Sequence, residues 1–400
     1  MRRPSDYANY GARARQIAWA LDLALSPLTG LPADPLKRRA WSAPHRRILL
    51  IRPDHIGDLL LASPAIRALR RALPHARIEL LASPWGAPAA LGNPDLDRVR
   101  TIEAAWFEPR RSEPPDPSRL IGSLLSLRFD RGEEGPYDAA ADLRGDFRSV
   151  LLALASGAPC RAGFSRIGLE ALLTDAVPLE PRLDWIGRNH AVAVLLGAGP
   201  LGARRPVFVV PERAEQEARR LLAPLPAGRP IAAVYPGTNR PWASWGTERF
   251  AEAARLLAAR RPVAIVTDGR EADGPAAEAV AAAIGGGTPV LSLAGRTGLA
   301  AAAAVIRASS VLLANDSGAA HLAVAVGTPV IAIFGPTDPA LYWTWADPER
   351  NVALAGRSSC ARPCFRSWCP ADHGYSAITP ADVAALADRL LDARFVKAEV

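Results

Sequence analysis

The sequence predicts an α/β protein of two lobes, each a parallel sheet with helices on both faces. Three observations carry this. Short apolar runs alternate with segments of helical period, the pattern of βαβ units. The alternation occurs twice, broken where Pro224, Pro226, Gly228 and Pro230 cluster. The chain has 400 residues, too many for one ordinary domain and enough for two.

Residues 1–45 form an extension. The stretch 12–25 has amphipathic helical character and precedes a Pro-rich basic stretch; a helix packed on the first lobe or a membrane-surface contact satisfies it. The first lobe, 46–225, opens with a buried-strand run at 47–51. A helix starts near Asp58, with Leu59, Ala62, Ile66, Leu69 and Leu73 on one face. Pro74 closes it and 77–82 resumes a strand, giving one right-handed βαβ unit. A further strand is expected at 139–142, and the Arg-, Pro- and Glu-rich stretch 106–136 reads as a long loop. In the second lobe, 226–378, strands are expected at 231–235, 263–267, 311–314 and 330–334, with helices at 250–260, 299–308 and 319–326. Residues 379–400 hold a terminal helix at 380–391 and a tail.

Hydrophobic residues make up 49% of the chain, sufficient for two cores. The net charge is +8 and the pI near 9.8, which favours acidic partners: nucleotides, phosphorylated sugars or an anionic membrane surface. Lysine occurs only at Lys37 and Lys397, so any cationic contact in the core falls to arginine, whose planar fork suits phosphate. The four cysteines are too few for a disulfide framework in a chain of this size, and no secretory signal or bilayer-length apolar stretch is visible. A cytoplasmic protein is the simplest expectation. Walker-type Gly-Lys-Ser/Thr, Gly-x-Gly-x-x-Gly after a strand and His-Glu-x-x-His are all missing, against P-loop hydrolysis, ordinary dinucleotide binding and zincin chemistry.

Five segments at expected strand ends carry chemistry, because open parallel sheets bind ligands at their carboxyl edge. Arg52-Pro-Asp-His-Ile-Gly-Asp58 joins the first strand and helix. Gly57 permits a close approach, and Asp58 is either a general base or a helix N-cap, with His55 a competing base. Asn315-Asp-Ser-Gly-Ala-Ala-His321 offers the Ser317 hydroxyl and the amides beyond it to an anion at a helix N-terminus. Asp316 beside phosphate would be repelled, so a sugar hydroxyl or a turn is its expected partner; His321 is a ligand contact or a buried helix histidine. Gly335-Pro-Thr337 should adjoin that segment on the same sheet edge. Gly237, Thr238 and Arg240 follow another strand and suit phosphate, while Trp242 and Trp245 suit packing. In Thr267-Asp-Gly-Arg-Glu271 a carboxylate can take both ribose hydroxyls or simply face solvent. Separately, Cys360, Cys364, Cys369 and His373 are close enough in sequence to hold Zn²⁺, although their spacing is not the paired Cys-x-x-Cys form and reduced structural cysteines are the favoured reading.

In this order and spacing the motifs resemble glycosyltransferase family 9, the lipopolysaccharide heptosyltransferases, over residues 46–395. Ile51-Arg52 with Gly57-Asp58 looks like its opening signature. Tyr137-Asp138, Asp142-Leu-Arg-Gly145 and Arg148-Ser149 look like its middle segment. Pro236-Gly237, Leu293-Ala-Gly295, Asn315-Asp-Ser-Gly318, His321-Leu322, Gly327-Thr-Pro329 and Phe334-Gly-Pro-Thr-Asp-Pro339 look like its second-lobe signature. The resemblance implies a GT-B fold of two Rossmann-like lobes, with the terminal helix crossing back to the first. It implies that the lobes face a cleft, and metal-independent, inverting transfer with no cofactor, the donor being a nucleoside diphosphate sugar, ADP-heptose foremost. Asp58 becomes the base; Arg52, His55 and Arg144 face an anionic glycan or glycolipid acceptor; Asp316, Ser317 and Gly318 take the diphosphate-sugar; Glu271 takes the ribose. Nucleic acid is not an expected partner; peripheral contact with the cytoplasmic face of the inner membrane is. The family often has a lysine before a Trp-Pro pair after its Pro-Gly motif. Here that region reads Trp242-Ala-Ser-Trp-Gly246, leaving Arg240 as the substitute. The alternatives are a nucleotide-sugar epimerase on a similar scaffold and a catalytically weak nucleotide-sugar-binding module.

Overall fold

The apolar runs become strands buried on both faces, and each set of six forms its own parallel sheet. In the computed structural model, residues 16–21, 23–24, 47–102, 117–129, 135–238, 243–285, 287–364 and 369–392 are described. The chain divides into two units, Met1–Val207 and Phe208–Val400.

The first unit contains β1 (Arg47–Arg52), β2 (Arg77–Ala82), β3 (Arg98–Thr101), β4 (Ala139–Asp142), β5 (Cys160–Ser165) and β6 (Asp175–Pro178), in the order β3-β2-β1-β4-β5-β6. β1 and β4 are paired neighbours, with Ile51 opposite Asp142. Strand order reverses between them, so the loops after β1 and β4 open on a topological switch point, the crevice where α/β sheets bind ligands. Ile48, Leu49, Leu50 and Ile51 are at most 1% exposed, which accounts for a run with no polar alternation.

Opposite the switch point, at the start of β1, Arg47 is 1% exposed and bonds Glu79, itself fully buried, at 3.0 Å. Arg77 and the Tyr137 hydroxyl also donate to Glu79, at 3.0 and 2.8 Å. Burial alone would raise the Glu79 carboxyl, but the bonds from Arg47, Tyr137 and Arg77 hold it below the usual range.

The second unit repeats the topology with β7 (Ile231–Tyr235), β8 (Ala264–Thr267), β9 (Val290–Ser292), β10 (Val311–Asn315), β11 (Val330–Phe334) and β12 (Asn351–Ala355), ordered β12-β11-β10-β7-β8-β9. Its switch point lies between β7 and β10, which pair from Val311 and Ala232 to Ala314 and Tyr235. Trp245, Phe250, Val280, Val311 and Ile331 lie in one core cluster of this unit.

One expectation, the long loop, is corrected, and the contacts of two helices assign them to units. The unit boundary falls before Phe208, earlier than the Pro-rich stretch, because helix Glu212–Leu222 buries Ala214 and Ala218 against Val266, Leu293, Ala304 and Val305 of the second unit. The expected long loop contains helix Pro117–Phe129, whose Leu127 enters the first unit's core. The terminal helix Pro380–Asp392 lies in the second unit. It buries Val383, Ala384, Ala387 and Leu390 in the second unit's core, and Arg261 ion-pairs with Asp388 and, at 2.7 Å, Asp392.

In the extension, residues 16–21 and 23–24 are helical; Ala18 is fully buried against Gly168, and Ile17 and Leu23 stay exposed. No helix among the described residues is long and apolar enough to cross a membrane.

Candidate active site

In the first unit, helix Ile56–Ala72 begins directly after the β1 loop with His55 as its N-cap residue. Asp58 therefore lies in the first turn and is not the N-cap; its carboxylate is 23% exposed at the positive end of the helix. Arg52 Nη2 donates to Asp58 Oδ1 at 3.3 Å, and Arg52 Nε lies 3.5 Å from Asp54 Oδ2. Arg52 itself is 1% exposed: Nη1 donates to the Leu143 carbonyl and, at 3.1 Å, to Asn189, and the guanidinium lies 4.7 Å over the Trp185 ring. Arg52, expected at the acceptor, is thus buried, with Nη1 and Nη2 hydrogen-bonded and Nε without a hydrogen bond beside Asp54, and it orients the Asp58 carboxylate.

Asp54 is a second carboxylate at this loop that the sequence reading passes over. It pairs with Arg144 Nη1 at 3.0 Å. Burial pushes its carboxyl above the usual range and Asp58 adds to this, against Arg144 and Arg52. Arg144 comes from the β4 loop, donates to the Pro53 carbonyl at 2.8 Å and keeps a 19% exposed side chain. Burial opposes its charge, but Asp54, Asp146, Asp58 and Asp142 together hold its pKa above the usual value. Asp142 shapes this loop: fully buried, it accepts from the amides of Arg144 at 2.8 Å, Gly145 at 3.1 Å and Asp146 at 3.3 Å, and burial pushes its carboxyl up to about 7. His55 is exposed, its ring 6.4 Å from that of Trp85; Gly57 is half-buried. The structure thus gathers Arg52, Asp54, Asp58 and Arg144 at the first switch point.

In the second unit, Asn315 ends β10 and is fully buried. Its Nδ2 donates to the Pro236 carbonyl at 2.7 Å and its Oδ1 accepts from the Trp245 amide at 2.9 Å, tying the β7 loop to the β10 loop across the switch point. Trp245 is 1% exposed and packs edge-on against Phe250, so it is core. Ser317 is the N-cap residue of helix Gly318–Val326, and its hydroxyl makes no capping bond. Asp316 is half-buried and accepts from the Thr337 hydroxyl, which joins the β10 and β11 loops as their adjacency requires.

His321 is 4% exposed. Its Nδ1 accepts from the Trp345 indole N–H at 3.1 Å and its ring lies 5.1 Å from that of Trp343. Burial pushes it down to about 3, so the ring is neutral and its proton sits on Nε2.

Gly237 is required by its neighbour, since a Cβ there would lie 2.4 Å from Asp273 Cγ. Asp273 is held by Arg270 Nε at 2.8 Å and Nη2 at 2.9 Å. Asp268, another carboxylate the sequence leaves open, is fully buried and accepts from the Tyr235 hydroxyl at 2.7 Å and the Thr297 hydroxyl at 2.8 Å. That leaves Glu271, exposed and with no ion pair or hydrogen bond to its carboxylate among the described residues, as the ribose candidate of its segment. Gly335 is buried with no room for a Cβ beside Tyr375; Thr238 is half-buried; Arg240 and Trp242 lie outside the described residues. Of the late cluster, the thiols of Cys360, Cys364 and Cys369 converge, and His373 is not in that group.

The sequence pattern described as "Glycosyltransferase family 9 (heptosyltransferase)" matches residues 131–373, more than half of the chain. Lipopolysaccharide heptosyltransferase 2 of Salmonella typhimurium is 26% identical over 303 residues, covering 73% of this chain and 84% of its own. Lipopolysaccharide heptosyltransferase 1 of Pseudomonas aeruginosa is 26% identical over 340 residues, covering 81% and 87%. Among solved structures, the E. coli ADP-heptose lipopolysaccharide heptosyltransferase II aligns with a TM-score of 0.66 at 25% identity, covering 86% of this chain and 98% of that one. The two six-stranded parallel sheets are those of the GT-B fold. The chain belongs to glycosyltransferase family 9, the heptosyltransferases.

Proposed function

We propose that this protein transfers heptose from ADP-heptose to an anionic lipopolysaccharide-core acceptor, inverting the anomeric carbon without a catalytic metal. The observation that carries the reading is that each unit has its own chemistry at its switch point: an arginine-held carboxylate on the first sheet and an uncapped helix N-terminus on the second. Asp58 takes the proton of the acceptor hydroxyl as that oxygen forms the new bond to the anomeric carbon and ADP departs from the opposite face. Arg52 fixes the direction of the Asp58 carboxylate. Arg144 and His55 offer positive charge and a ring to an acidic acceptor.

The departing diphosphate meets the free amides and dipole of helix Gly318–Val326, the Ser317 hydroxyl and Thr238. Arg240 takes the role of the lysine absent from this segment. Asp316, engaged with Thr337, orients the sugar end, and Glu271 takes the ribose hydroxyls. Neutral His321 contributes shape and no charge to this edge. The names of the relatives, which specify lipopolysaccharide and ADP-heptose, support the substrate class. A lipopolysaccharide acceptor supports work at the cytoplasmic face of the inner membrane, where the charge of +8 favours peripheral contact.

A thermal-shift comparison of ADP, UDP and GDP tests the donor class. A ligand at one hundred times its Kd stabilises by about 2.7 kcal/mol, so a rise with ADP alone is expected. Equal shifts for the three, or none, would remove ADP-heptose as the donor. ADP-heptose consumption without acceptor would favour the epimerase reading instead.

A further inference from the structure

The Sγ atoms of Cys360, Cys364 and Cys369 lie within 4.8 Å of one another, and none of the three is in a disulfide. Cys364 and Cys369 are 6% and 5% exposed, and Cys360 is half-buried. The geometry points to a tri-thiolate site for one thiophilic divalent cation, Zn²⁺ or Fe²⁺, with a solvent molecule as fourth ligand. The site serves to brace the loop at the end of β11.

Thiols are weak hydrogen-bond partners and gain little from one another, so mutual attraction does not explain three of them converging from separated positions in one loop. A tetrahedral cation does. Zn–S bonds of about 2.3 Å place ligating sulfurs about 3.8 Å apart, so closure from the observed spacing needs a movement of about 1 Å, within reach of side-chain rotation.

The loop also needs a brace. Between β12 and the short turn Tyr375–Ala377 the described residues hold no helix or strand, and irregular segments of that length are uncommon without a function or a cross-link. Its backbone is already set around the cluster. The Cys364 amide donates to the Pro336 carbonyl at 2.8 Å. Arg362 donates to the carbonyls of Gly335 at 2.5 Å, Gly356 at 2.9 Å and His373 at 2.6 Å. Binding displaces three thiol protons to solvent and changes no oxidation state; the resulting site carries one negative charge.

The consequence reaches the donor edge. Gly335 and Pro336, the two residues this loop grips, precede Thr337, whose hydroxyl is bonded to Asp316. The cation therefore acts as a positioning element for the β10–β11 edge; that role rests on the proposed donor reading, whereas the metal site does not.

The test is elemental analysis of the full-length protein, expressed with added Zn²⁺ or Fe²⁺ and dialysed. About one equivalent of one metal per chain is expected, and its identity chooses between the two. Co²⁺ exchanged into the site should give a thiolate-to-cobalt charge-transfer band that disappears in Cys364→Ser and, should that variant not fold, in the half-exposed Cys360→Ser. Less than about a tenth of an equivalent of metal, or a disulfide among these cysteines by mass spectrometry of unreduced protein, would overturn the site. Removing the metal with a chelator should weaken ADP binding at least fivefold while the circular dichroism persists. Unchanged ADP affinity in the metal-free protein would overturn the positioning role, and a failure of the loaded protein to bind ADP would instead count against the donor reading.

Discussion

Replacing Asp58 with asparagine keeps the shape of the side chain and removes its ability to take a proton. A positioned base contributes about a hundredfold to ten-thousandfold, so kcat should fall by that range, about 2.7–5.5 kcal/mol of barrier. The fold should persist. Asp58 is 23% exposed and its bond from Arg52 is long at 3.3 Å, so the pair contributes at most about 1 kcal/mol. Arg52 also keeps Asp54, Asn189, the Leu143 carbonyl and the Trp185 face, so no buried charge is abandoned. The assay is heptose transfer from ADP-heptose under saturating donor, with ADP affinity measured separately. ADP affinity should stay within about twofold, because the donor contacts assigned here all lie in the second unit. A kcat within about threefold of wild type would refute Asp58 as the base. Asp54→Asn, made in parallel, would identify Asp54 as the base if it alone abolished transfer.

Three further outcomes follow from the geometry. Gly237→Ala should raise the ADP dissociation constant at least tenfold by titration calorimetry, because its Cβ meets the Asp273 carboxylate at 2.4 Å; Asp273→Ala in the same chain should restore part of the loss. Trp345→Phe should cost about 1–3 kcal/mol in denaturant unfolding of the second unit, since His321 Nδ1 then loses its donor in a buried site. Asp142, raised to about 7 in the folded state, holds its proton more tightly there than in the unfolded chain, so the stability it contributes is present at low pH and is lost as pH rises from about 4 to about 7. Wild type minus Asp142→Asn should show that fall, up to about 4 kcal/mol, while the opposite dependence from His321 cancels in the difference.

The central strands of both sheets were legible because burial on both faces writes an uninterrupted apolar run, as at Ile48 to Ile51 and Val330 to Phe334. The edge strands were not. Arg98–Thr101 and Asn351–Ala355 are largely half-exposed; Arg98–Thr101 lacks such a run, and the four apolar residues from Val352 to Ala355 are too short a run to set that strand apart from a helix segment. Helix Pro117–Phe129 was hidden by the Pro- and Glu-rich residues before it, although Pro117 at its start and Leu124 and Leu127 at helical spacing were a usable signal. The position of Asp58 at a strand end was readable; its orientation by Arg52 was not, because that bond depends on Asn189, Leu143 and Trp185, far away in sequence. Asp54 was overlooked for the same reason: its environment is made by Arg144, brought across by the β1–β4 pairing. Asp268 and Glu271 were indistinguishable in sequence, and only burial separates the structural carboxylate from the available one.

The account stands most directly on ADP release measured with and without a heptose-accepting lipopolysaccharide-core fragment. It predicts release that depends on the acceptor, one heptose added per ADP formed, and a product of inverted anomeric configuration by NMR. Release at the same rate without acceptor, or a product that retains configuration, would contradict it.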